Sequence, residues 1–135
     1  MKKQIFLLSI LVSLAFGFKD VESDEVSMMA ASQDVVVVDV RTKEEWIESG
    51  VIQNSIPITY FDAQAKPLKD DFIKKLQGYT KGDKTKPVLL VCRTGFRSKL
   101  VSGILEREGY KNVYNYKYGM VNWLSERRAT VKPKI

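Results

Sequence analysis

A chain of 135 residues with 44% hydrophobic content has the size and apolar material for one core, which excludes a second domain. Lys and Arg outnumber Asp and Glu by 22 to 16, a formal charge of +6 that favours anionic ligands. Acids and bases are interspersed, as in Lys69-Asp70-Asp71 and Glu106-Arg107-Glu108, so no nucleic-acid partner is expected.

Histidine is absent and Cys92 is the single cysteine. Imidazole-assisted catalysis, an internal disulfide and the commonest metal ligand are thereby removed, and neither a cofactor nor a metal is expected. The chain opens as secretory signals do. Lys2 and Lys3 precede an apolar stretch from Ile5 to Phe16 that runs into the small-residue pattern Ala15-Phe16-Gly17. Cleavage after Gly17 is expected, making residues 1–17 a signal peptide and residues 18–135 the domain. The destination would be the periplasm or the exterior, with no membrane association after cleavage. The stretch is short for a membrane span, and an uncleaved anchor is the alternative.

From Phe18 to Ser32 the sequence is polar with a small apolar cluster that suggests a short helix. Val35 to Val38 is a β-branched run ending at Asp39, as in a strand covered on both faces. Thr42 can cap a helix from Lys43 to Ser49, with Glu44 and Glu45 in its first turn and Gly50 ending it. Ser55 to Tyr60 reads as a short strand interrupted by Pro57, and Leu68 to Leu76 as a helix. After a charged loop from Gly78 to Pro87, Val88 to Val91 repeats the buried-strand signature. Ser98 to Glu108 follows as a helix ended by Gly109, then Asn112 to Tyr116 as a strand. Met120 to Arg128 closes the chain as a helix with Val121 and Leu124 on its inner side. Strands separated by helices imply parallel pairing through right-handed crossovers. The fold class is α/β, a single domain with a mainly parallel open sheet flanked by helices.

Ligands of such sheets collect where strands end and helices begin, and Cys92 directly follows the Val88–Val91 strand. A lone cysteine beside an apolar strand is ordinarily a small buried hydrophobe. Here Cys92-Arg93-Thr94-Gly95-Phe96-Arg97-Ser98 is a short loop opening onto a helix, whose backbone N–H groups can curl around the sulfur. Helix N-terminal donors and two arginines favour the thiolate, giving a nucleophile that needs no general base. Gly95 permits a tight turn, Ser98 can cap the helix, and Arg93 and Arg97 can face an anion. Asp39 and Arg41 read as structural, with Glu45 a candidate partner of Arg41; Trp46 and Trp123 read as core.

This loop resembles the six-residue active-site loop of the rhodanese-like sulfurtransferases, which begins with the catalytic cysteine. Asp39-Val40-Arg41 with Glu45-Trp46 resembles the family's Asp-Val-Arg segment and its acidic-aromatic pair. Gly109-Tyr110-Lys111-Asn112-Val113-Tyr114 resembles its helix-to-strand return, and Gly119-Met120 with Trp123 its C-terminal motif. Two segments depart from it. Gly50-Val51-Ile52-Gln53-Asn54-Ser55 stands for the family's Gly-His-Ile-Pro-Gly-Ala, and Tyr118-Gly119 for a double glycine. The resemblance implies that Cys92 takes a sulfur atom from a small anionic donor such as thiosulfate and passes it to a thiol or cyanide. It also implies that Arg93, Thr94, Gly95, Phe96, Arg97 and Ser98 bind substrate.

Phosphatases and arsenate reductases of related architecture also place an arginine after a cysteine loop. They use five intervening residues where four separate Cys92 from Arg97, and a smaller ring suits a bound sulfur better than a tetrahedral phosphate. A non-catalytic persulfide carrier or partner-binding module is the alternative of a different class.

Overall fold

The computed structural model describes residues 17–135. The expected signal segment, apart from Gly17, lies outside them. In chain order the elements are β1 (Lys19–Val21), α1 (Ser23–Ala31), β2 (Val36–Asp39), α2 (Lys43–Ser49), β3 (Ile56–Pro57), α3 (Lys69–Thr80), β4 (Val88–Val91), α4 (Phe96–Arg107), β5 (Val113–Tyr116) and α5 (Gly119–Ser125). The 5-stranded sheet has the order β1-β5-β4-β2-β3, and every pairing in it is parallel. This is the α/β class expected from the alternation of strands and helices.

The two apolar runs form the central strands because each presents side chains to two covered faces. Val36, Val38, Val88 and Leu90 pack on one side with Phe72 and Leu76 of α3 and Val101 and Leu105 of α4. Val37, Leu89 and Val91 pack on the other with Val26 and Ala30 of α1 and Met120 and Trp123 of α5. A strand buried on both faces shows no polar alternation, which is why these segments read as unbroken apolar runs. Each fully buried Val or Leu contributes roughly 1.5–3 kcal/mol of transfer free energy. The strand ends carrying Asp39 and Val91 lie side by side in register, so the segments that follow β2 and β4 emerge together.

Several boundaries differ from the sequence expectation. β1 was not anticipated; it is three residues long and pairs only with β5 at the sheet edge. β3 is reduced to Ile56–Pro57, an edge position where proline's missing donor is tolerated. α3 runs through Gly78 to Thr80, beyond the expected end at Leu76. α5 buries Met120 and Trp123 while Val121 and Leu124 are 48% and 42% exposed, which corrects the assignment of its inner face. That helix begins at Gly119, and its inner stripe is displaced by one residue from the one inferred. No described helix is long and apolar enough to cross a membrane.

Candidate active site

Cys92 leaves β4 at the carboxyl end of the sheet, and its side chain is fully buried. The Gly95 N–H donates to its Sγ at 3.1 Å, and the Ser98 hydroxyl, also fully buried, donates at 3.2 Å. Two donors, one from the backbone and one from a side chain, thus converge on one sulfur. Gly95, at φ 93°, is the cap of α4, which therefore starts at Phe96. The expectation that Ser98 caps this helix is corrected: the serine lies inside the first turn, and its hydroxyl turns back to the sulfur.

Glycine is required at two points around the loop. A Cβ on Gly95 would sit 2.0 Å from the Lys117 carbonyl oxygen, and one on Gly119, at φ 71°, would sit 2.4 Å from that of Arg93. The Cys92 loop and the β5–α5 turn are thus packed backbone to backbone. Two hydrogen bonds fasten them, from Met120 N–H to the Cys92 carbonyl and from Val121 N–H to that of Arg93, both 2.9 Å.

The two loop arginines are placed differently. Arg93 is exposed and makes no salt bridge among the described residues. Arg97 donates from Nη1 to Glu45 Oε1 at 2.8 Å and from Nη2 to Oε2 at 2.7 Å, a two-pronged pair. Glu45 also closes a capping box with Thr42 at the start of α2. Burial opposes ionisation of Glu45, but the bonds and charge of Arg97 and the bonds from Thr42 outweigh it and lower its pKa from 4.5 to about 2. The hydrogen bonds to Glu45 are the main cause that raises the Arg97 pKa above its ordinary value.

A folded-state pKa below the unfolded one contributes stability that is full above the unfolded value and is lost as pH falls towards the folded one. Wild-type protein is therefore expected to melt above Glu45→Gln at neutral pH, and the difference to close between about pH 4.5 and 2. Thermal melts across that range check it.

Arg41 pairs with Asp39, at 2.7 Å, and not with Glu45 as expected. Their ion pair is buried and satisfied on all sides. Trp46 Nε1–H donates to Asp39 Oδ1 at 3.1 Å, while Arg41 donates to Ser49 Oγ and the Gly50 carbonyl at 2.9 and 3.0 Å. The pair ties the end of β2 to the middle and the C-terminal end of α2, the structural role read for it. Thr94 and Phe96 point outward, Phe96 with 66% exposure. Phe96, Arg93, Arg97, Leu100 and Phe61 are among the walls of a cleft of about 640 Å³. Among the described residues no group of three or more His, Cys, Asp or Glu is placed to hold a metal.

A five-stranded parallel α/β sheet with a cysteine loop at its carboxyl edge defines a class, and sequence comparison identifies it. The "Rhodanese-like domain" family model matches residues 22–126, and the chain belongs to that family. It is 33% identical over 102 residues to a rhodanese domain-containing protein of Drosophila melanogaster, covering 74% of this chain and 91% of that one. Over 107 residues it is 30% identical to a thiosulfate sulfurtransferase of Coxiella burnetii, covering 78% and 87% of the two chains. The crystal structure of a rhodanese-like domain protein from Staphylococcus aureus superposes with a TM-score of 0.60 at 30% identity, over 78% of this chain and 91% of that one. Relatives at this level include proteins named as thiosulfate sulfurtransferases.

Proposed function

We propose that the protein is a thiosulfate sulfurtransferase in which Cys92 carries sulfane sulfur as a persulfide. The observation that supports this most is the pair of donors, Gly95 N–H and Ser98 Oγ–H, converging on a buried Sγ in a six-residue loop. The Cys92 sulfur attacks the outer sulfur of thiosulfate; a new S–S bond forms, the old one breaks, and sulfite leaves with the bonding pair. The terminal sulfur of the persulfide carries the negative charge. A thiolate or cyanide then attacks that sulfur, takes it as a persulfide or thiocyanate, and returns the electron pair to Cys92. Arg93 draws the donor's charge to the loop, and Thr94 and Phe96 form its outer rim. With no histidine in the chain, donors to the sulfur replace the base that other nucleophiles need. Cleavage of residues 1–17 and a periplasmic or secreted location complete the reading.

Purified protein given thiosulfate and cyanide is expected to release thiocyanate and to leave p-nitrophenyl phosphate intact. Folded protein that released no thiocyanate would contradict an enzyme and favour the carrier or partner-binding module.

A further inference from the structure

We propose that Glu45 is a positioning residue for the Cys92 loop, holding Arg97 as a strut that fixes the first turn of α4 against the sulfur. This rests on the sulfur-transfer reading and adds to it a division of labour between the arginines: Arg93 meets the donor, and Arg97 braces the loop. The fork of Arg97 is filled by both Glu45 oxygens at 2.8 and 2.7 Å, across 52 residues of sequence. A planar, bidentate pair restricts direction as well as distance.

The far end of the strut is itself fixed. Thr42 donates to Glu45 Oε1 through Oγ1 at 3.1 Å, and the adjacent Trp46 is bonded to the buried Asp39 carboxylate. The near end stands between Gly95 and Ser98, the two residues that donate to Cys92 Sγ. Movement of α4 relative to α2 would lengthen both bonds to the sulfur, so the pair couples the α2 capping box to the nucleophile. The pair is also only 26% and 23% exposed, so water competes with it less than with a surface bridge. It leaves the loop with one cation, Arg93, not bound to a carboxylate among the described residues.

The test uses Glu45→Gln, Arg97→Gln and the double variant, with Lys75→Gln, which breaks the exposed Asp71 pair, as control. Glutamine keeps the capping-box role at the start of α2. Two quantities are measured: thiosulfate kcat and KM per alkylatable Cys92, and the rate at which iodoacetamide alkylates Cys92 without donor. All three variants are expected to lose about tenfold in kcat, with thiosulfate KM rising less than about twofold. Alkylation should accelerate about tenfold in each, because access gained to the fully buried sulfur outweighs the loss of its donors, and Lys75→Gln should match wild type. The double variant should be no worse than either single one, because the two side chains act as a unit. A tenfold rise in KM for Arg97→Gln with kcat and alkylation unchanged would overturn the proposal and make Arg97 a donor ligand. Should wild type transfer no sulfur, the sulfur-transfer reading fails while alkylation still decides the strut: unchanged rates overturn it, faster rates support it.

Discussion

Cys92→Ser is expected to lower thiocyanate formation at least about 10³-fold while leaving the melting temperature near that of wild type. An oxygen at this position cannot form a persulfide, and the chain has no histidine to activate a hydroxyl. The fold should tolerate the exchange because a serine Oγ can still accept from Gly95 N–H and bond to Ser98, which hold the sulfur at 3.1 and 3.2 Å. Paired in this way, the buried hydroxyl costs about 1 kcal/mol. Thiocyanate assays beside thermal melts separate loss of chemistry from loss of fold. Substantial residual transfer by the serine variant would remove Cys92 from the reaction.

Gly95→Ala is expected to destabilise the protein by about 2–6 kcal/mol and to reduce sulfur transfer at least about 10²-fold. The backbone is held at φ 93°, and the new Cβ would sit 2.0 Å from the Lys117 carbonyl oxygen and 2.8 Å from its carbon. Both obstructing atoms are backbone, so no rotamer change relieves the clash. The loop would have to withdraw from the β5–α5 turn, carrying the Gly95 N–H away from Sγ. Gly78→Ala offers the contrast: it lies in α3 with nothing within 4 Å of its Cβ and should stabilise by about 0.5–1 kcal/mol. Denaturant unfolding of the two variants measures both effects.

Local signals carried most of the architecture. The Val35–Val38 and Val88–Val91 runs marked the central strands because two covered faces leave no polar side, and Thr42 as a cap, with Glu44 and Glu45 after it, marked the start of α2. Cys92 and its loop were legible for the same local reason, a nucleophile followed at once by a turn and a helix. What stayed hidden depended on distant parts of the chain. β1 is too short to show a period, and only its pairing with β5 makes it a strand. Glu45 looked like a neighbour for Arg41, four residues before it. Arg41 instead turns back to Asp39, and the sheet brings Arg97 to Glu45. Ser98 reads in the sequence as the helix cap; with Gly95 at the head of α4 it falls inside the first turn, where its hydroxyl donates to the Cys92 sulfur.

The claim that Cys92 carries sulfane sulfur is tested most directly by intact mass. Reduced wild-type protein is treated with thiosulfate, freed of small molecules, and weighed before and after cyanide. The expected result is a gain of one sulfur atom, reversed by cyanide with thiocyanate appearing in equal amount, and no gain in Cys92→Ser, which lacks the single cysteine. An unchanged wild-type mass, or an equal gain in the serine variant, would contradict it.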